Sequence, residues 1–185
     1  MRGFTLIETI ILMIVVAIVV PVVMVGLNTM VIQSNRAEKL TVATDLARYY
    51  MELALSKRFD ERIPPPPPAE TEAATIAAWT AQGSFGIETG AANLNGPNNE
   101  AAGNPTTFDD VDDFNTMTNY AIPGFLDYTL TMTVAYFTDN YATTGIWGTA
   151  DSAGGARTNA KRIRVTVNNA LIGNLTLDCV TGAVY

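Results

Sequence analysis

The sequence predicts an α+β fold in which one long N-terminal helix packs on an antiparallel C-terminal sheet. Three observations carry that expectation. From Thr9 to Asn35 no side chain is charged, and Ile10 to Leu27 is apolar or Gly/Pro throughout, about the length a helix needs to cross a bilayer core. Beyond it, Leu40, Ala43, Leu46, Ala47, Tyr50, Leu53 and Ala54 recur at three- and four-residue steps and form one apolar face of a helix. In the last third, apolar and polar residues alternate with the period of half-buried strands.

The helix is expected to run to Phe59. Arg36, Glu38, Lys39, Asp45, Arg48, Glu52 and Lys57 lie off its apolar face, and Arg48 and Glu52 can pair across one turn. Pro21 and Gly26 fall inside the apolar span. Proline removes a backbone hydrogen bond and glycine lowers helix propensity, so the interval between them is the expected place for a kink. Five prolines, Pro64–Pro68, then forbid helix and favour a stiff polyproline II segment.

Glu8 stands at the edge of the apolar run. Placing its charge at the centre of a bilayer would cost about 3 kcal/mol even on mild insertion scales, whereas at headgroup level the helix N-terminus tolerates it. The order of the neighbouring residues adds information. A secretory signal places its small-residue cleavage site after the apolar region. Here Arg2 and Gly3 precede that region, so a cut after Gly3 would leave the hydrophobic helix on the mature protein.

The segment Gly3-Phe4-Thr5-Leu6-Ile7-Glu8 resembles the prepilin processing site of type IV pilins and of the pseudopilins of type II secretion. The likeness combines Gly before the cut, Phe after it, Glu at the fifth mature position and an unbroken apolar helix behind, and it covers about the first 30 residues. It implies that prepilin peptidase removes residues 1–3 and methylates the new amine of Phe4. The subunit would then wait in membrane lipid, its head outside the cytoplasm, until an inner-membrane assembly platform and its ATPase move it into a helical filament with other pilin subunits. Glu8 would face the Phe4 amine of a neighbouring subunit, giving the carboxylate the partner a buried charge requires. Related pilins also loosen the helix in the interval corresponding to Pro21–Gly26.

In these terms, residues 4–30 form the membrane-spanning or filament-core half of the helix and 31–59 its amphipathic half. Residues 60–185 form the periplasmic or extracellular head, with a variable loop region at 60–124 and the sheet at 125–185. A short helix is expected over Ala69–Gln82, followed by a loop punctuated by glycine and rich in Asn and Thr. Asp109, Asp110, Asp112 and Asp113 lie within this region. Such oxygen ligands suit Ca²⁺, which some pseudopilins bind, but their spacing departs from the EF-hand pattern, and a solvated acidic turn explains them equally well.

Strands are expected at Phe125–Phe137, Lys161–Val167 and Leu171–Cys179, with a turn at Thr181-Gly182 leading to a short last strand. Ile163, Val165 and Val167 oppose Arg162, Arg164 and Thr166, and Leu175, Leu177 and Cys179 share a face. A connection at 141–160 carries Trp147 as a packing anchor. Arg157, Lys161, Arg162 and Arg164 form the basic cluster of the head. It reads as a solvated strand face, with an acidic neighbouring head or DNA as the alternative partner.

Composition narrows the function. The 185 residues carry a net charge of −7, divided between +2 over residues 1–59 and −9 over residues 60–185. An acidic head disfavours nucleic acid, whose binding rests on Lys and Arg neutralising phosphates. With no His and one Cys, the usual nucleophiles and acid–base groups are nearly absent, so no enzyme and no cofactor is expected. Cys179 lacks an intrachain partner, whereas many pilins staple a C-terminal loop with a Cys pair. The expected function is therefore that of a structural filament subunit, more a minor pilin than a major one. The alternatives are a pseudopilin of type II secretion and a single-pass membrane-anchored binding module that never polymerises.

Overall fold

The structure, a computed structural model, describes residues 5–60, 79–87, 103–138 and 157–182. It has the expected α+β architecture. Helix α1 (Leu6–Leu55) is followed by a four-stranded antiparallel meander: β1 (Tyr120–Ala121), β2 (Tyr128–Tyr136), β3 (Ala160–Asn169) and β4 (Gly173–Gly182), hydrogen-bonded in sequence order. The chain divides into two units within α1, residues 1–41 and residues 42–185.

In the first unit α1 is bare, and from Thr9 to Asn35 it carries no charge. Large side chains from Leu6 to Ile32 are exposed, and the helix is long and apolar enough to cross a membrane. It continues as helix through Pro21 and Gly26, and a Cβ added at Gly26 would meet nothing within 4 Å, so no close packing demands a glycine there.

In the second unit α1 buries Ala43, Leu46, Ala47, Tyr50, Met51 and Ala54. These join Leu130, Met132 and Val134 of β2 and Ile163, Val165 and Val167 of β3 in one core, closed by Phe108, Val111, Phe114 and Met117. The small residues at 43, 47 and 54 leave room for the sheet, and the expected apolar face is present with two changes. Met51 joins it, and Leu40 is exposed. The helix also stops at Leu55, four residues before the expected Phe59. The Ser56 hydroxyl turns back to the Leu53 carbonyl at 2.7 Å, and Arg58 leaves the helix to form a parallel bridge with Asp110.

The strand parity is as expected. Leu130, Met132 and Val134 pair with Val167, Val165 and Ile163, and these with Leu175, Leu177 and Cys179 of β4. The opposite face is polar. Arg164 and Asp178 make a bidentate pair at 2.7 and 2.9 Å, Thr166 and Thr176 share a hydrogen bond of 3.2 Å, and the Asn168 amide donates to Asn174. Gly173 takes the left-handed conformation (φ 79°) that the β3–β4 turn needs.

Three boundaries differ from expectation. Leu126 is 97% exposed because the chain turns at Pro123–Asp127 and β2 starts at Tyr128. There is no turn at Thr181-Gly182, since both residues stay paired to Lys161 and Ala160 of β3. The short helix expected over 69–82 does not reach its end: Ala81 is extended (φ −71°, ψ 140°), and only Gln82–Ser84 form a 3₁₀ turn. Gly3, Phe4, the five prolines, residues 69–78, Trp147 and residues 183–185 lie outside the described residues.

Candidate functional site

Two places bring the singled-out residues together. The first is the start of α1. The Thr5 amide donates to Glu8 Oε2 at 3.5 Å, while the Thr5 carbonyl accepts from the Glu8 and Thr9 amides at 3.1 and 3.2 Å. This is half of a capping box: the Glu8 carboxylate turns back on the first turn, where the free amides of a helix favour negative charge. Behind it the exposed apolar side chains begin at Leu6 and Ile7.

The second place lies where the end of α1, the acidic segment and β3 meet. Asp110 Oδ1 accepts from the Asp112 and Asp113 amides at 2.9 and 3.3 Å, which winds Asp112–Thr116 into a 3₁₀ turn. Asp113 Oδ2 accepts from the Asp109 and Asp110 amides at 3.1 and 3.3 Å. Nearby, the Lys57 ammonium donates to the Phe108 carbonyl at 2.5 Å, and Arg58 exchanges backbone hydrogen bonds with Asp109 and Val111. Asp110, Asp112 and Asp113 are buried, so the expected solvated acidic turn is corrected to a turn folded into the core.

The reason is partly Lys161. Its parity on β3 is that of Ile163, so its side chain points inward and is fully buried, which corrects its expected place on a solvated strand face. Its Nζ donates to the Phe59 carbonyl at 2.6 Å and to Asp112 Oδ1 at 2.7 Å, and lies 3.5 Å from Asp60 Oδ2. The rings of Phe59, Phe85 and Tyr136 stand 4.6, 4.8 and 5.5 Å from the same nitrogen. Asp60 is held in turn by the Thr80 amide at 2.8 Å, and the Tyr136 hydroxyl donates to the Thr80 carbonyl at 2.7 Å. The buried Trp79 packs on Phe59.

The carboxyls answer to this burial. Asp112 is pushed up to about 8, by burial first and then by Asp110, with Lys161 opposing. Asp113 is pushed up to about 6, again by burial first, with the amides of Asp110 and Asp109 opposing. Asp112 Oδ2, Asp113 Oδ1 and both carboxylate oxygens of Asp109 are buried without a hydrogen-bond partner. Asp110 and Asp113 are turned on their own backbone and Asp112 on Lys161. Among the described residues no three His, Cys, Asp or Glu side chains converge as a metal-holding group.

The two places define a class: an α+β head built on the second part of a helix whose first part is apolar, exposed and of membrane-crossing length. Comparison with family models, with curated proteins and with solved structures finds no match for the chain.

Of the residues that organise the head, Asp60, Trp79 and Lys161 escaped the sequence reading as core groups. Strand parity carried the signal for Lys161. For Asp60, which binds Thr80, and Trp79, which packs on Phe59, each partner lies 20 residues away and no local pattern exists.

Proposed function

We propose that the chain is a structural subunit of a type IV pilus or pilus-like filament, held in the inner membrane by α1 before assembly and displaying its acidic head outside the cytoplasm. The observation that carries the reading is the conjunction of a Gly3-Phe4 junction with the bare helix directly behind it. A side-chain surface this apolar requires lipid or other copies of the same helix around it. Cleavage after Gly3 would free an amine four residues before Glu8, and a neighbouring copy would bring such an amine to the Glu8 carboxylate. A pseudopilin of type II secretion uses the same parts, and its neighbouring genes distinguish it.

The Thr5–Glu8 contact favours a second reading, a membrane-anchored binding module, because it satisfies Glu8 within its own chain. The two readings part at Glu8→Val. As a filament subunit the variant stays in the membrane at the wild-type level yet is depleted from sheared filaments. Equal incorporation of variant and wild type would remove the inter-subunit role of Glu8.

A further inference from the structure

We propose that Lys161 and Asp112 condense to an intramolecular isopeptide bond that ties β3 covalently to the 3₁₀ turn at Asp112–Thr116. The amine and the carboxyl are already in contact, 2.7 Å from Nζ to Oδ1, and both side chains are completely buried. They lie 49 residues apart in sequence, so the contact is a product of the fold and not of local chain geometry. Rigid positioning of this kind replaces a bimolecular encounter and raises the effective concentration of the nucleophile by many orders of magnitude.

The surroundings supply what the reaction needs. Three aromatic rings wall the nitrogen and, with the rest of the core, close it off from water. The carboxyl of Asp112 is correspondingly shifted toward its protonated form. Asp60 Oδ2 lies 3.5 Å from Nζ, a second carboxylate beside the amine.

The step balances without an added reagent. Proton transfer within the pair gives neutral amine and carboxylic acid. The Nζ lone pair attacks Asp112 Cγ, a proton leaves the nitrogen, and a proton is added to the carboxyl hydroxyl. The C–O bond then breaks, the new C–N bond becomes an amide, and one water is released. The remaining N–H can keep the bond to the Phe59 carbonyl. The charges of Lys161 and Asp112 are removed, Asp60 keeps its hydrogen bonds from Thr80, and a head whose lone Cys179 is a free thiol gains a covalent tie.

The proposal stands apart from the filament reading, and its test is read from peptides of the head whatever happens at the N-terminus. The full chain, purified in detergent, is denatured, digested with trypsin and chymotrypsin, and analysed by tandem mass spectrometry. The expected result is a branched peptide joining the Lys161 segment to the Asp112 segment, lighter by one water than the two together, with no cleavage after Lys161. Lys161→Arg and Asp112→Ala should give only linear peptides. Asp112→Asn, which would lose ammonia in place of water, should restore the identical branched product. Recovery of wild-type Lys161 and Asp112 only in linear peptides, with trypsin cutting after Lys161, overturns the proposal, and because that result comes from the wild-type chain it does not depend on any variant folding.

Discussion

Ala47 is the tightest test of how α1 seats on the sheet. It is wholly buried, in line with Ala43, Tyr50 and Ala54, on the face that meets Leu130, Met132, Val165 and their neighbours. Replacing it by Leu inserts three carbons into a space shaped for one, and overpacking of this order costs about 1–3 kcal/mol. For a chain of this size a loss of 1 kcal/mol lowers the unfolding midpoint by roughly 2–4 °C. Ala47→Leu should therefore lower it by roughly 2–12 °C. Ala37→Leu, ten residues earlier at an exposed position of the same helix, is the control and should change stability by no more than about 0.5 kcal/mol, roughly 1–2 °C in midpoint. Thermal unfolding of the full chain in detergent, followed by near-ultraviolet circular dichroism, separates the loss of head packing from the helix signal. Equal midpoints for the two variants would refute the seating of the helix on the sheet through its small-residue face.

Two further predictions concern charge. Asp113 is pushed up to about 6 in the folded head, so its contribution to stability is fully present below about 4 and is lost as pH rises through about 6. Asp113→Asn, which keeps an acceptor for the Asp109 and Asp110 amides but cannot ionise, should flatten the fall in denaturation midpoint that wild type shows over that range; parallel pH profiles would contradict it. The exposed Arg164–Asp178 pair holds the aspartate below its usual range through its hydrogen bonds. Screening by water limits such a pair to about 0.2–1 kcal/mol, so a double-mutant cycle with Arg164→Ala and Asp178→Ala should give a coupling in that range that shrinks in high salt.

The fold was legible because its two periods are strong. The three- and four-residue steps from Ala43 to Ala54 and the alternation from Ile163 to Val167 appear in the structure as the two sides of one core. What the sequence concealed was the polar centre of that core. Lys161 precedes Ile163 by two residues, and the rule that placed Ile163 inside places Lys161 inside as well. The expectation that lysine seeks water overrode the parity. The partners that make its burial tolerable, Asp112, Asp60 and the Phe59 carbonyl, come from segments 49 to 102 residues away in sequence, a closeness only the folded chain provides. The burial of the acidic turn has the same origin: its carboxylates face its own amides and a buried lysine. At the N-terminus the position is reversed. The resemblance of Gly3–Glu8 to a processing site is carried by the sequence alone, and the structure adds the local bond between Thr5 and Glu8.

The claim that this helix builds a filament begins with its N-terminus. The most direct measurement is the N-terminal sequence and intact mass of the protein from cells with and without an active prepilin peptidase. Loss of Met1–Gly3 together with a methyl group on the Phe4 amine, only when the peptidase is present, is the predicted result. Retention of Met1–Gly3 beside an active peptidase would contradict it, leaving a membrane-anchored head whose Glu8 caps its own helix.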